Sequence, residues 1–401
     1  VTDTLVFNPT VEGFFGDPYA HYREVRDAER VQEHPLGFWF VSHYADVTQL
    51  LRAGLSVEDR HLAEGPLLDQ ARAIAGDRAG ALSLSMLDRD PPDHTRLRSL
   101  VTKVFTQRAV AALEPMVTRL VDESLDRIAD GGSVDLVEEL AFPLPFAVIS
   151  TMLGTPPTDH VRLRELSGTL VRSLEVVTDP EVLAAIREAE VALSGMTREI
   201  IAWKRANPAD DLLTALIQAE QDGDKLSDDE LVAQVLLLYI AGHETTVNLI
   251  SNGTVALLRN PAQLELLRAR PELAGNAVEE LLRYDSPVQQ TRRITTAPHV
   301  LADREIPAGA FVIACLGSAN RDERYWGPTA DTVDIERADA HRHVSFGAGH
   351  HHCLGAALAR LEGRVAIGRL VSRFPSLALD GEVTWNGRLN LRGAASVPVR
   401  V

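Results

Sequence analysis

The sequence predicts a mainly α-helical fold with minor β structure, built as a single domain over residues 1–401. Three observations carry that expectation. Apolar residues recur at helical spacing through most of the chain up to Arg259. The most apolar stretch, residues 231–242, follows the capping-box pattern Ser227-Asp228-Asp229-Glu230. Clusters of β-branched and aromatic residues are short, and most fall late. Length alone suggests two or three domains of about 150 residues, yet no Gly/Ser linker, low-complexity tract or repeat marks a boundary.

In chain order, residues 19–30 read as a first helix and 37–42, rich in aromatic and β-branched side chains, as a strand. Residues 46–53 return to helical spacing, and 61–86 read as irregular. Asp90-Pro91-Pro92 punctuates the chain, and Asp93 is placed to cap a helix through Phe105. Helical patterns follow at 108–129, 136–153, 159–174, 180–206 and 211–220. The helix opened by Ser227 extends to about Arg259, about 45 Å at 1.5 Å per residue. Short β-like pieces appear at 299–301, at 310–315 and near the C-terminus, and 356–374 is an amphipathic run.

Composition excludes several classes. A formal charge of −17 with only three lysines, Lys103, Lys204 and Lys225, argues against nucleic acid as a partner. Two cysteines, Cys315 and Cys353, cannot make a disulfide framework, so a reducing cytoplasm is the expected location. The N-terminal residues carry acids and prolines where a signal peptide carries a basic start and an apolar run. The stretch 231–242 is well short of the ~20 residues that span a bilayer, so no membrane anchor is expected.

The most informative segment is Phe346-Gly347-Ala348-Gly349-His350-His351-His352-Cys353-Leu354-Gly355. It holds a cysteine in a glycine-bracketed turn just before an amphipathic helix, where partial positive charge favours a thiolate. A lone cysteine is more often a small buried hydrophobe. Here the phenylalanine, glycines and following helix stand in register around it. Zinc is a weaker alternative, because three consecutive histidines cannot easily converge on one tetrahedral ion. The segment resembles the haem-binding loop of the cytochrome P-450 family, Phe-x-x-Gly-x-x-x-Cys-x-Gly, which implies Cys353 as axial iron ligand with Phe346, Gly347 and Gly355 around it.

The second segment lies mid-way along the long helix. Gly242-His243-Glu244-Thr245-Thr246 puts a helix weakener, an acid and two hydroxyls where packing favours Leu or Ala. A hydroxyl at Thr245 can bond the carbonyl of Ala241 one turn back and open a polar notch. Alternatively, Glu244 snorkels to solvent and Thr245 merely caps a kink. The notch resembles the family's oxygen-binding groove, matched by Ala241, Gly242, Glu244, Thr245 and Thr246, which implies proton handling by Thr245 and Glu244.

Other residues take their roles from the same resemblance. Glu280 and Arg283, an i,i+3 pair that is ordinarily a surface feature, match the family's structural Glu-x-x-Arg pair, with Arg337 completing it. His94 and Arg98, one turn apart on a helix face, together with Arg293, His343 and His351, fall where the family places haem propionate contacts; solvent-exposed basic side chains are the alternative. His352 departs from the apolar residue usual before the cysteine and is expected to tune the thiolate's environment.

The resemblance covers nearly the whole chain and implies haem b between the long central helix and the Cys-loop helix. It implies a soluble bacterial haem-thiolate monooxygenase of secondary metabolism, a monomer, that inserts one oxygen atom of O2 into a C–H bond of a lipophilic small molecule. No flavin or iron–sulfur module is visible in the sequence, so electrons are expected from ferredoxin and ferredoxin reductase, docking near Arg96, Lys103, Arg360 and Arg364. A haem peroxygenase, a non-redox haem enzyme and a non-enzymatic haem carrier are alternatives; the first two tend to lack the acid–threonine pair. The substrate cavity is expected from residues 61–86, 168–177, 238–246, 288–290 and 390–395.

Overall fold

The structure, a computed structural model, describes residues 5–75, 80–156, 160–221 and 224–401. Its helices, in order, are α1 (Tyr19–Ala28), α2 (Tyr44–Arg52), α3 (Pro66–Ala75), α4 (Asp93–Val104), α5 (Gln107–Ala111), α6 (Glu114–Gly131), α7 (Pro143–Leu153), α8 (His160–Leu170), α9 (Pro180–Ala206), α10 (Leu212–Gln218), α11 (Asp228–Leu258), α12 (Pro261–Ala269), α13 (Ala274–Tyr284), the single turns α14 (Leu316–Ala319) and α15 (Glu323–Trp326), and α16 (Ala356–Arg373). Helix dominates, with small sheets beside it.

The long helix begins as its sequence dictates. Ser227 Oγ accepts from the Glu230 amide at 3.2 Å while Glu230 Oε2 accepts from the Ser227 amide at 2.8 Å, so two orphan N–H groups are satisfied. Residues 231–240 are buried on every side, which suits a helix apolar all round. Packed around α11 are α7, α9, α13 and α16. One large apolar core joins α11 to α6, α7, α16 and the C-terminal strands.

Four local features differ from the sequence expectation. Within the stretch read as irregular, Pro66 opens α3, the first-turn position where its missing N–H costs nothing. The run 108–129 divides into α5 and α6, with Pro115 in the first turn of α6. Ahead of α7 the chain takes a π turn over Val137–Ala141, in which the Phe142 amide reaches Val137 O at 2.8 Å just before Pro143. The run 159–174 forms α8 and then tightens into a 3₁₀ turn, Val171–Leu174; Asp159 lies outside the described residues.

Besides a two-residue hairpin, Glu220–Gln221 with Asp224–Lys225, the strands are β1 (Val31–Glu33), β2 (Phe38–Val41), β3 (Ser133–Asp135), β4 (Gln290–Ile294), β5 (His299–Leu301), β6 (Arg304–Ile306), β7 (Phe311–Cys315), β8 (Ala378–Leu379), β9 (Thr384–Trp385), β10 (Ala394–Ser396) and β11 (Pro398–Arg400). The main sheet has the order β1-β2-β7-β4, parallel only between β2 and β7, where Phe38 faces Phe311. Strand β4 reads Gln-Thr-Arg-Arg-Ile and carries no apolar alternation; pairing with β7 imposes its conformation. That pairing also sets the position of Arg293. Among the described residues, no helix is long and apolar enough to cross a membrane.

Candidate active site

The cysteine loop is held by its own backbone. The Cys353 amide donates to Phe346 O at 2.9 Å, the Gly347 amide to Val344 O at 2.8 Å and the His352 amide to Gly349 O at 3.1 Å. Gly349 adopts φ 71°, and a Cβ there would also meet Leu51 O at 2.5 Å, so neither the turn nor the packing admits a side chain. Gly355 has ordinary φ, and its added Cβ would make only normal contact with Cys353 Sγ. Cys353 is solvent-accessible yet surrounded by enough protein that burial raises its thiol pKa, outweighing the opposing amides of Gly355 and Ala356 and the charges of Arg98 and Arg360. The amides at the start of α16 favour the anion, as its position implies, but desolvation is the larger effect.

Mid-way along α11, Ala241 is exposed although the ten residues before it are buried and burial resumes from Thr246. A small exposed residue at the centre of a buried helix marks a recess. Thr245 Oγ1 donates to Ala241 O at 2.8 Å, and helical hydrogen bonding continues through the segment. Glu244 is not free in solvent: its carboxylate is engaged by Arg388. His243 points away into apolar packing, with Phe142 and Phe146 ring centroids 4.5 and 5.8 Å from its own.

A buried basic cluster lies beside the cysteine. His94 and His351 rings stand 4.3 Å apart, and neither ring nitrogen of the buried His94 has a hydrogen-bond partner. Burial pushes His351 down to about 3, helped by the charges of His94 and Arg293. Burial likewise lowers Arg293 to about 10, with Asp90 opposing it. Arg98 donates to His352 O at 2.7 Å and senses the Cys353 charge. Arg293 is buried with only the Thr291 hydroxyl and the Arg292 carbonyl as hydrogen-bond acceptors, an environment that suits an anion of ligand origin. An accessible thiol, a small-residue helix notch and basic groups short of acidic partners fit a flat, dicarboxylate iron porphyrin. Among the described residues no three His, Cys, Asp or Glu side chains converge to hold a bare metal ion, which disfavors the zinc alternative.

His343 packs against the cysteine loop, its ring centroid 5.4 Å from that of Phe346. Its Nε2 faces Glu279 Oε2 at 3.1 Å and its Nδ1 accepts from the Ser345 amide at 3.1 Å, so both ring nitrogens are occupied. Arg360 binds the same Glu279 carboxylate, with Nη2 at 3.0 Å. Glu279 had no signal in the sequence beyond standing next to Glu280.

Glu280 and Arg283 are both fully buried and paired at 2.7 and 2.8 Å. Arg337 adds a second guanidinium, 3.1 Å from Glu280 Oε2. Arg283 also donates to the carbonyls of Asn320, Ala330 and Thr332. This trio pins α13 to the irregular segment that leads into the cysteine loop. Of the four residues expected to form a basic docking face, Arg96 pairs with Glu230, Arg360 with Glu279 and Arg364 with Glu114, so that face is laced with carboxylates; the Lys103 side chain lies outside what is described.

Among known proteins, the family model described as Cytochrome P450 matches residues 74–386. A protein named Cytochrome P450 107B1, from Saccharopolyspora erythraea, is 43% identical over 411 residues, covering 100% of this chain and 98% of its own. The Vitamin D(3) 25-hydroxylase of Pseudonocardia autotrophica is 41% identical over 395 residues, covering 96% of this chain and 94% of its own. The solved structure of CYP109E1 from Bacillus megaterium in complex with testosterone superposes with a TM-score of 0.87 at 33% identity, covering 96% of this chain and 98% of that one.

Proposed function

The chain belongs to the cytochrome P450 family, and from that premise we propose that Cys353 would hold the iron of haem b in an enzyme that hydroxylates or epoxidises a lipophilic small molecule. Membership makes the protein a haem-dependent monooxygenase, an oxidoreductase using O2, redox partners and a lipophilic substrate. When bound, the haem supplies the oxygen-inserting chemistry. The observation that carries the assignment to this site is the accessible Cys353 thiol set beside Arg98, the buried Arg293 and the paired imidazoles of His94 and His351, with neither His94 ring nitrogen partnered.

The chain's own residues then divide the work. Cys353, Phe346, Gly347 and Gly355 shape the proximal side, and His94, Arg98, Arg293 and His351 receive the carboxylates. His343, which shares Glu279 with Arg360, would join that set. On the opposite side Ala241 and Gly242 leave room beside α11. The Thr245 hydroxyl holds a proton at Oγ1, and Glu244, held by Arg388, passes protons towards it, a pairing that favours O2 over peroxide as the oxygen source. Glu280, Arg283 and Arg337 hold the frame.

One catalytic domain spanning the chain, a cytoplasmic location, a single-chain enzyme and electron supply by ferredoxin and its reductase belong to the same proposal. The apolar core shared by α11, α16 and the C-terminal strands supports the first. A relative named for hydroxylating vitamin D(3) and a solved neighbour holding testosterone support a steroid-sized, lipophilic substrate. The test is spectroscopic. The reduced protein under carbon monoxide is expected to show a thiolate-ligated haem band that Cys353→Ser abolishes, and steroid-sized ligands are expected to shift the iron spin state. Retention of that band in Cys353→Ser overturns the assignment.

A further inference from the structure

Arg388 stands 144 residues beyond Glu244 in the chain, in the loop between β9 and β10, and engages its carboxylate through Nη1. Its other terminal nitrogen, Nη2, donates to Gly168 O in the last turn of α8 at 3.2 Å. One planar guanidinium thus spans the middle of α11 and the end of α8. The following residues continue the grip. The amides of Leu389 and Asn390 both donate to Glu175 Oε1, at 2.7 and 3.0 Å, and Asn390 Nδ2 donates to Leu174 O at 2.6 Å.

These bonds fall where α8 gives out. Beyond Leu170 the helix tightens into the 3₁₀ turn Val171–Leu174, and carbonyls at a helix end have no partner within the helix. Here loop 388–390 supplies partners to Gly168 and Leu174. The other side of α8 is tied by Arg164, which binds Glu138 at 2.7 and 2.6 Å, lies over the Phe142 ring at 3.9 Å and senses the charge of Glu244. The ion pair between Arg388 and Glu244 is largely shielded from solvent, with side-chain exposures of 21% and 16%, so it is screened less than a surface pair.

We propose that Arg388 is a positioning residue that couples the docking of segment 168–175 to the orientation of Glu244. With the segment docked, one guanidinium bridges Gly168 and the Glu244 carboxylate and holds the acid toward the recess at Ala241. With the segment lifted, the bridge opens and the carboxylate turns to solvent. Its catalytic consequence rests on the proton-handling role proposed for Glu244; the mechanical link does not.

Hydrogen exchange on the full haem-loaded chain separates the two. Arg388→Ala and Glu244→Gln are each expected to speed amide exchange in residues 164–175 by roughly tenfold, because either change opens the same bridge, and to leave α4 unchanged. Arg388→Lys is expected to restore product formed per NAD(P)H towards the parent value, since an ammonium still pairs with Glu244, while exchange in 164–175 stays fast because it cannot span both acceptors. Parent-like exchange in Glu244→Gln overturns the link even if Arg388→Ala fails to fold. If Arg388→Ala speeds exchange but leaves the product ratio unchanged, the coupling to chemistry is overturned. Absence of thiolate-bound haem in the parent chain sinks the functional assignment instead and leaves the exchange comparison intact.

Discussion

Thr245 Oγ1 lies 2.8 Å from the carbonyl oxygen of Ala241, one turn back along α11 and at the exposed point that follows ten buried residues from Leu231. The hydroxyl is committed to backbone and still borders the recess. A side chain so placed can hand over a proton and retrieve a bond without moving its Cα.

Thr245→Ala is expected to leave folding nearly intact and to lower coupled product formation by roughly tenfold or more, with the lost reducing equivalents recovered as hydrogen peroxide. Thr245→Ser retains the hydroxyl and is expected to stay coupled. Product and peroxide measured per NAD(P)H consumed give the answer; a fully coupled alanine variant removes Thr245 from proton handling.

Glu280→Ala leaves Arg283 and Arg337 buried without their shared carboxylate. Loss of one partner of a buried ion pair costs about 3–5 kcal/mol. The expected result is poor soluble yield and a lower urea midpoint, while a midpoint within error of the parent's would show that the trio is structurally dispensable.

His243 couples stability to acid. Burial between Phe142 and Phe146 lowers its pKa from 6.5 to about 4, so the unfolded chain binds a proton more readily than the folded one. Stability therefore falls as pH drops from 6.5 to 4, by about 3 kcal/mol at about 1.4 kcal/mol per unit. His243→Leu is expected to flatten that part of the stability curve, measured by urea unfolding at pH 7, 6 and 5; an unchanged slope would assign the acid sensitivity elsewhere.

Glu362 has the opposite sign. It lies fully buried on α16, both carboxylate oxygens lack partners, and burial raises its pKa well above 4.5. The folded state keeps its proton while the unfolded state loses it, so stability declines as pH rises above 4.5. Glu362→Gln, neutral and of the same shape, is expected to stabilise the protein more at pH 8 than at pH 5. Equal effects at both values would mean that the carboxyl is ionised and paired in the fold.

The helical architecture was legible because its signals are local. The capping box at Ser227 closes within four residues, and the helix it opens ends at Leu258, one residue short of the expected Arg259. The bond between Thr245 and Ala241 was legible for the same reason, being one helical turn long. Strand β4 was not, because its polar residues take their conformation from β7; α3 does carry helical spacing at Leu67, Leu68, Ala71 and Ile74, a short period overlooked within the segment read as irregular.

What the sequence by itself determined is therefore the inventory and its order: a cysteine turn before a helix, a polar interruption in a buried helix, and an acid with two arginines. What the tertiary structure alone decided is which distant groups meet. It brought Arg388 to Glu244, His94 to His351 and His343 to Glu279, and packed enough protein around the accessible Cys353 thiol to raise its pKa. The reason is one of range. Hydrogen bonds within a turn follow from backbone periodicity, whereas pairing and desolvation depend on which elements pack together, and no short stretch of chain encodes that.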